Sequence, residues 1–419
     1  MRVTQSKQWV LLAAGSMGWN NYRHQADVCH AYQMVHHNGI PDEQIAVMMY
    51  DDIAYNAENP NPGEIINVPG GPNVYPGVLK DYTRLDVSAR NFLAVLRGDE
   101  AGVNKQGGGP KKVLKSGKND TIFIFLSDHG AQGLFAFPSD RLYASDLLDT
   151  INKMSNRQQF SKMVIYIESC FSGSMIEHLP KNIQVYGVSA SNPDEPHHAC
   201  FKKRGKTYLA GEFSSWWLRH CEKVDLTQTT FQDQFEYVTG KMSGSTPCQY
   251  GNMALRKLFI SDFLGSSDVR ARRRPADLTA GASVPFMLTH LTPSHDVPLL
   301  MYKERIESEN DPEKKEALQQ DYKKLRKTRA DIKKTMHKIA ERSWPEQGLR
   351  ALNERRPLTR LHDMKDVAEH FRMTFTEWHE QDDGYILSHM HVFVNLFESG
   401  VEVARIKQVI TSVRSSQRF

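Results

Sequence analysis

The sequence contains few cysteines, and their number and spacing exclude a disulfide-stapled scaffold. There are five cysteines in 419 residues, an odd number at irregular spacing, so at least one thiol is free. All five precede residue 250, and the last part of the chain must therefore fold by packing alone. Whether Cys221 and Cys248 pair in an oxidising compartment stays open at this point.

Long apolar runs and a strong net charge are also missing. No run reaches the roughly 18–20 residues that a membrane-spanning helix needs, and the first residues, MRVTQSKQ, lack the apolar segment of a secretory signal. A net charge of +4 is small for this length, so we expect neither a membrane span nor a nucleic-acid partner. The chain is long enough for two domains, because single cores usually stop growing near ~250–300 residues.

The first 265 residues alternate short apolar strand patterns with amphipathic helix patterns. This alternation is typical of a mainly parallel sheet covered by helices. The expected strands are 9–14, 45–50, 121–126, 163–167, 183–190 and a closing strand at 255–263, and the expected helices are 26–38, 88–96, 144–154 and 227–239. The sequence therefore predicts an α/β domain over residues 1–265.

The composition changes after residue 265. Residues 266–300 read as a linker, in which the arginines between 270 and 274 indicate a solvated segment. From residue 301 the chain is rich in Lys, Glu, Gln and Leu at helical spacing, and helix-length amphipathic pieces recur at 367–378, 385–396 and 403–413. These patterns predict a second, all-α domain.

Two predicted strands end in chemically reactive residues. The strand at 163–167 runs into the sequence ESC, which ends at Cys170, and the strand at 121–126 runs into SDHG, which contains His129. The carboxyl ends of parallel strands meet at one edge of a sheet, so the imidazole could assist the thiol in nucleophilic attack. Each residue alone could instead be structural, since free cysteine is mostly a small core hydrophobe. Because both strands end in the same way, with a reactive residue before or within a turn that contains glycine, the catalytic interpretation is favoured over the structural one.

Longer runs resemble the legumain family, asparaginyl endopeptidases among the caspase-like cysteine peptidases. The resemblance covers nearly the whole chain, and the segments that carry it are GSMGWNNYRHQADVCHAY (15–32), NGIPDEQIAVMMYDDIAYNAENPNPG (38–63), SDHG (127–130), IESCFSGSM (167–175) and TPSHDVPL (292–299). It implies a caspase-like α/β/α sandwich with a mainly parallel sheet, followed by a C-terminal all-α, death-domain-like prodomain.

The resemblance also implies roles for individual residues. Cys170 would be the nucleophile, His129 its general base or ion-pair partner, and Asn21 the residue that steadies the histidine. The backbone amides of Gly130 and Cys170 would form the oxyanion hole. Asp128 would tune His129 electrostatically or be a reactive turn aspartate.

The implied substrate pocket, S1, reads both ends of a side-chain amide with opposite charges. Arg23, His24 and Glu168 match pocket positions, and Glu212 lies near the usual aspartate of the family, in a loop of different length. Such a site discriminates strongly because the wrong side chain leaves polar groups unpaired. Taken alone, Arg23 could equally be an ordinary surface arginine. The implied activity is cleavage after asparagine, and more weakly after aspartate at acid pH, with ligation when an amine replaces water.

The family's members are made as zymogens, and the resemblance implies the same here. Residues 301–341 would be the activation peptide and connecting helix, residues 342–419 a helical prodomain that inhibits its own active site, and Asn310 the autocleavage site. Acid would activate the precursor by protonating carboxylates that pair with a basic cap. The implied setting is endosomal, lysosomal or secreted. The implied partners are asparagine-containing protein substrates and cystatin-type inhibitors, with no cofactor or metal.

Some features depart from the family or stand outside it. Phe171 follows the nucleophile where the family often has an acidic residue, which predicts an altered contact with the cap. Asn119 begins a glycosylation sequon, which matters only in the secretory pathway. The Arg97-Gly98-Asp99 loop supports an alternative function, a non-catalytic interaction protein that uses this loop and the helical cap. The joint presence of nucleophile, base and orienting residue argues against that alternative.

Overall fold

The computed structural model describes residues 6–203, 207–266 and 288–417. The arginine-rich run expected in the linker lies outside these residues. The strands are β1 (Gln8–Ala14), β2 (Ile45–Met48), β3 (Thr121–Ser127), β4 (Gly130–Ala131), β5 (Leu134–Ala136), β6 (Arg141–Tyr143), β7 (Lys162–Glu168), β8 (Val185–Ser189), β9 (His198–Lys203), β10 (Thr207–Gly211), β11 (Cys248–Gly251) and β12 (Thr292–Pro293).

The α-helices of the described residues surround these strands and build the C-terminal part. They are α1 (Tyr22–His37), α2 (Ala89–Leu96), α3 (Ala144–Asn156), α4 (Glu212–Lys223), α5 (Phe231–Thr239), α6 (Ser261–Leu264), α7 (Val297–Ser308), α8 (Pro312–Ser343), α9 (Gly348–Asn353), α10 (Leu361–Thr374), α11 (Thr376–Leu387), α12 (His391–Glu398) and α13 (Val403–Ser415). None of these helices has the length and apolar character needed to cross a membrane.

A six-stranded sheet lies at the centre, in the order β2-β1-β3-β7-β8-β11. Neighbours from β2 to β8 pair in parallel, and β11 pairs antiparallel with β8. Successive residues of β1 enter opposite cores: Leu12 packs with helices α1 and α4, while Leu11 packs with α2 and α3. Burial on both faces explains why these strands read as continuous apolar runs. The expected α/β/α sandwich with a mainly parallel sheet is confirmed.

The expected closing strand at 255–263 is wrong. A 3₁₀ helix over Met253–Lys257 and the short helix α6 occupy this stretch, and the edge strand is β11. The buried residues Leu255, Ile260, Phe263 and Leu264 lack the period-two alternation of a half-buried strand, and helical turns bury them instead.

Residues 288–300, which belong to the expected linker, pack against the first domain. Strand β12 pairs antiparallel with β9, with Thr292 opposite Ala199 and Pro293 opposite His198. Val297, at the start of α7, is fully buried in the hydrophobic cluster that also contains α1. This part of the chain is therefore structured rather than solvated, and it lies beside the start of β9.

The C-terminal helices form a second hydrophobic unit, as the helical patterns predict. Ile332, Met336 and Ile339 lie at helical spacing along α8 and pack with residues of α10, α12 and α13. The same cluster includes Leu134 and Tyr143 from the small sheet β4-β5-β6 of the first domain. The C-terminal helical domain therefore docks on this small sheet, which directly follows the end of β3.

Candidate active site

Cys170 and His129 leave the central sheet at the same edge. In the β3–β7 pairing Ser127 lies opposite Glu168, and each reactive residue follows its strand end by two positions. Both side chains are buried: Cys170 is 5% exposed and His129 is 7% exposed. The topology thus brings together the thiol and the imidazole that the sequence placed on separate strands.

The imidazole of His129 is oriented by one hydrogen bond. Its Nε2 lies 2.8 Å from the side-chain oxygen of Asn21, whose own amide donates to the carbonyl of Met17 at 3.0 Å. Because a neutral imidazole must donate to this amide oxygen, Nε2 carries the hydrogen and Nδ1 is the basic nitrogen. Burial and the nearby Arg23 guanidinium lower the pKa of His129 to about 3. The ring is therefore neutral in this structure, as a general base requires.

The thiol of Cys170 lies in a tight turn. Its Sγ accepts a hydrogen bond from the backbone N–H of His197 at 3.2 Å, and burial raises the pKa of Cys170 to about 11. The next residue, Phe171, has a left-handed φ of 57°, which turns the chain sharply away from β7. Phe171 is itself buried, and its N–H donates to the carbonyl of Glu195 at 2.8 Å. With its pKa raised by burial, the thiol is protonated at neutral pH.

Gly130 allows the backbone to approach the cysteine. A Cβ atom at this position would lie 2.7 Å from both the Cys170 carbonyl oxygen and the Ser169 hydroxyl. Real Cβ atoms do not approach other atoms so closely, so the turn requires glycine. The close approach suits a backbone amide in an oxyanion hole.

Asp128 and His24 lie behind His129. A carboxylate oxygen of Asp128 lies 3.2 Å from His24 Nδ1, and the His24 and His129 rings meet edge to face at 5.1 Å. Burial raises the pKa of Asp128 well above its ordinary value. These three side chains place potential metal-ligand atoms within 4.8 Å of one another. Two already bind other groups, His24 the Ser16 hydroxyl and His129 the Asn21 amide, and we assign the cluster no metal.

Arg23 and Glu168 provide opposite charges near the thiol. Arg23 is 1% exposed; its Nη1 donates to the Asn20 carbonyl at 3.1 Å, while its Nη2 is buried without a hydrogen-bond partner among the described residues. Glu168 is also 1% exposed and accepts from the Ser214 N–H at 3.1 Å and from the Ser214 hydroxyl. An unpaired buried guanidinium nitrogen is costly, so it marks a place where a substrate acceptor group would be stabilised.

Glu212 is fully buried but is engaged elsewhere. Its carboxylate accepts hydrogen bonds from the backbone N–H groups of Ser243 at 2.8 Å and Gly244 at 3.0 Å. Burial raises its pKa, and the two amides oppose that effect. Glu212 thus binds the loop before β11, and Gly211 rather than Glu212 lies directly against the Glu168 carboxylate.

Two buried residues around Glu168 have no sequence motif that would reveal them. His197 Nε2 lies 2.8 Å from Glu168 Oε1. Asp27 accepts from the Gly211 N–H at 3.1 Å, and burial together with the Glu168 charge raises its pKa well above the ordinary value. Asp27 lies within a segment that resembles the family but belongs to no motif of its own. His197 is close to Cys170 only in three dimensions. Spacing along the chain could therefore identify neither residue.

The C-terminal helical domain covers His129. Gly384 of α11 lies so close that a Cβ atom there would be 2.9 Å from His129 Nδ1. Beside it, Asp383 contacts Arg141 of β6 at 2.5 Å and His379 at 2.7 Å. A cavity of about 790 Å³ remains between the two domains near the histidine. The basic nitrogen of His129 is therefore blocked in this form of the chain.

Arg329 of α8 makes a second group of contacts across this cover. It donates to Asp382 at 2.5 Å and to the backbone carbonyl of His295 at 2.5 Å. His295 belongs to the segment that follows β12, beside the active site. The long helix α8 is thereby tied both to α11 and to the first domain.

The remaining sequence-predicted positions lie away from the catalytic pair. Asn310 is exposed in the short break between α7 and α8, and Asn119 is exposed in the turn before β3. Arg97 and Asp99 form an ion pair at 2.9 Å, and both side chains are about one third exposed. Cys221 and Cys248 are both free thiols.

A buried cysteine and an oriented histidine at the carboxyl edge of a parallel sheet, beside a charged pocket, define a cysteine peptidase. The peptidase C13 family matches residues 8–266. The chain belongs to this family and is an asparaginyl cysteine endopeptidase.

Individual relatives agree with this assignment. Legumain of Homo sapiens is 44% identical over 407 residues, which cover 96% of this chain and 91% of the relative. The vacuolar-processing enzyme delta-isozyme of Arabidopsis thaliana is 40% identical, covering 72% of this chain and 66% of the relative. A hemoglobinase of Schistosoma mansoni is 40% identical, with coverages of 76% and 72%. Among solved structures, caspase-1 of Spodoptera frugiperda matches with a TM-score of 0.36 and 8% identity, covering 63% of this chain and 92% of that chain.

Proposed function

We propose that Cys170 is the nucleophile of this endopeptidase, His129 its general base and Asn21 the residue that orients the imidazole. The supporting observation is the hydrogen bond from Nε2 to Asn21, which leaves Nδ1 as the basic nitrogen. In the uncovered enzyme the thiol proton passes to Nδ1, and sulfur attacks the peptide carbonyl. The backbone amides of Gly130 and Cys170 stabilise the developing oxyanion.

The leaving amine takes the proton back from the imidazolium, and a thioester between Cys170 and the substrate remains. Water, activated by the same histidine, hydrolyses the thioester and frees the enzyme. A peptide amine that arrives first forms a new peptide bond instead, which gives the ligase activity. Asp128 and His24, buried behind His129, limit its freedom to rotate.

The proposed S1 pocket reads the asparagine side chain from both ends. The amide oxygen accepts from the unpaired Nη2 of Arg23, and the amide nitrogen donates to Glu168. His24 supports the wall next to the catalytic histidine. Glu212 contributes indirectly, by binding the loop that precedes β11.

The structure's cover over His129 supports an inactive precursor. In this proposal residues 1–265 form the catalytic domain, 266–300 connect it, 301–341 include the activation peptide, and 342–419 are the inhibitory prodomain. Autocleavage after Asn310 would separate the prodomain side from the active site, and the exposure of Asn310 between two helices suits a cleavage site. The proposed setting is an acidic endosomal, lysosomal or vacuolar compartment, where protein substrates and cystatin-type inhibitors are the expected partners.

A peptide assay tests this function. The full chain, acidified and returned to assay pH, should cleave a fluorogenic peptide at asparagine, and Cys170→Ala or His129→Ala should abolish cleavage. Full activity of Cys170→Ala would refute the mechanism. Mapping the new terminus tests the processing site, because normal maturation of Asn310→Ala would exclude that position.

A further inference from the structure

His197 lies between the proposed nucleophile and the pocket carboxylate. It is 3% exposed, and its backbone N–H donates to Cys170 Sγ at 3.2 Å. Its ring nitrogen Nε2 lies 2.8 Å from Glu168 Oε1, and the other ring nitrogen, Nδ1, lies 3.2 Å from the Ser245 hydroxyl. Both ring nitrogens therefore have buried polar partners.

The hydrogen bonds determine how many protons the His197–Glu168 pair carries. The Ser245 hydroxyl donates its hydrogen to the carbonyl of Ala190 at 2.8 Å, so it can only accept from His197 Nδ1. Nδ1 therefore carries a hydrogen. The 2.8 Å contact on the other side requires a second proton, on Nε2 or on Glu168. In either arrangement, imidazolium with carboxylate or imidazole with carboxylic acid, the pair has no net charge.

Other ionisable groups also face this pair. Arg23 and Asp27 approach from α1, Glu212 from the start of α4, His198 from β9, and Cys170 and Cys200 from the adjoining turn and strand. Burial raises the pKa of Asp27 and of Glu212, which favours their neutral forms. The guanidinium of Arg23 then dominates the charge of the pocket.

We infer that His197 is a specificity-determining residue of the proposed S1 pocket: by neutralising Glu168, it lets the pocket accept aspartate as well as asparagine up to near-neutral pH. The inference deepens the proposed function and rests on that pocket. An asparagine amide can donate to Glu168 in either charge state. An aspartate carboxylate would meet a like charge at an unpaired Glu168, but meets a neutral pair here.

The substitution His197→Gln tests this inference. The glutamine amide can donate to Glu168 as Nε2 does, but it cannot carry the proton that neutralises the carboxylate. The measurement is kcat/KM of the acid-activated full chain for two peptides that differ only by Asn or Asp at the cleaved position, between pH 5 and pH 7. For the unmutated protein we expect an Asp-to-Asn ratio that changes little with pH. For His197→Gln the ratio at pH 7 should be roughly tenfold or more lower than that of the unmutated protein, because an unneutralised Glu168 carboxylate then faces the aspartate as a like charge.

His198→Gln is the matched control, because no hydrogen bond joins this neighbouring histidine to Glu168. Its ratio should follow that of the unmutated protein. The double variant His197→Gln with Glu168→Gln should restore the ratio of the unmutated protein, since no Glu168 carboxylate is left to repel the aspartate. A purely structural role for His197 would not produce such a rescue.

An Asp-to-Asn ratio in His197→Gln that matches the unmutated protein at every pH would overturn the inference. If His197→Gln does not fold, Glu168→Gln alone decides. A neutral pair predicts little change in the ratio at pH 7, whereas a large rise would show that His197 leaves the Glu168 charge unneutralised and would refute the inference. Failure of the unmutated protein to cleave after asparagine would instead refute the proposed function itself.

Discussion

Replacing Asp383 with asparagine should loosen the C-terminal helical domain from the active site at neutral pH. Asp383 contacts Arg141 at 2.5 Å across the interface, next to the glycine that covers His129. The Arg141 side chain is 5% exposed and that of Asp383 is 23% exposed, so water screens the pair only in part. The pair is therefore one of the stronger electrostatic contacts between the two domains.

The pKa of Asp383 gives the size of the effect. Burial alone would raise this pKa, but Arg141 and His379 lower it from 3.8 to about 2. Because His379 belongs to the same helix as Asp383, only the Arg141 part of this displacement is lost on undocking. The displacement therefore sets an upper limit of about 2 kcal/mol on the docking free energy from this pair at neutral pH, which is roughly 30-fold in the equilibrium between covered and uncovered forms. Because the pKa is lowered in the docked state, the contribution is complete above pH ~4 and is lost as pH falls toward 2.

Alkylation of Cys170 should report the uncovered fraction, because Gly384 blocks its proposed base, His129 Nδ1, while the helical domain is docked. Limited labelling of the unprocessed chain, read by mass spectrometry of the Cys170 peptide, should be faster in Asp383→Asn than in the unmutated protein, by up to roughly 30-fold. The ratio of the two rates should stay constant between pH 7 and pH 5. Asp363→Asn is the matched control, since Asp363 pairs with Arg360 inside the same helical domain. Equal labelling rates for both variants and the unmutated chain would refute the reasoning.

Three further results are expected. Gly384→Val should also speed the labelling of Cys170, because its side chain would collide with the His129 ring; an unchanged rate would show that the contact is looser than 2.9 Å. Gly130→Ala should lower kcat of the activated enzyme by at least ~10², because a Cβ there collides with the Cys170 carbonyl and displaces the amide of the proposed oxyanion hole; a kcat within a few-fold of normal would show that this close backbone approach is not needed for catalysis. Domain docking should weaken between pH 6.5 and pH 4, as measured by the pH dependence of Cys170 labelling after correction for thiolate formation. Labelling that does not rise with acid would contradict this linkage.

The sequence predicts the catalytic edge well because local patterns determine it. The apolar runs that end near His129 and Cys170 are buried on both faces, and parallel register then places their ends side by side. Where several weak signals compete, prediction fails. Residues 255–263 are apolar and short, which does not distinguish a strand from helical turns, and the structure forms the turns.

Contacts between distant segments could not be predicted from the sequence. Residues around Val297 read as part of a polar linker, yet pairing of β12 with β9 draws them into the core. His197 lies far from Glu168 along the chain and carries no motif, so its contact with the carboxylate appears only in three dimensions. Glu212 shows the converse: a plausible sequence position whose carboxylate binds backbone amides instead.

The charges at the interface change the explanation of acid activation. In one ion pair across the interface the helical domain supplies the base, Lys365, and the first domain supplies the acid, Asp146. In the pair beside His129 the charges are reversed: Asp383 belongs to the helical domain and Arg141 to the first domain. With a pKa of about 2, Asp383 stays ionised at lysosomal acidity, so its protonation cannot release the cover there.

Two buried histidines, in contrast, have pKa shifts whose direction makes docking weaker in acid. Burial, with nearby positive charge, lowers the pKa of His129 to about 3 and that of His389 to about 4, against an ordinary value of 6.5. A base whose pKa is lowered in the docked state stabilises docking fully above pH 6.5 and loses that contribution as pH falls toward the lowered value. Acid therefore favours any state in which these rings become accessible and protonated. We therefore expect acid to weaken docking through His129, because Gly384 of the cover lies against Nδ1, the ring nitrogen that would take up the proton.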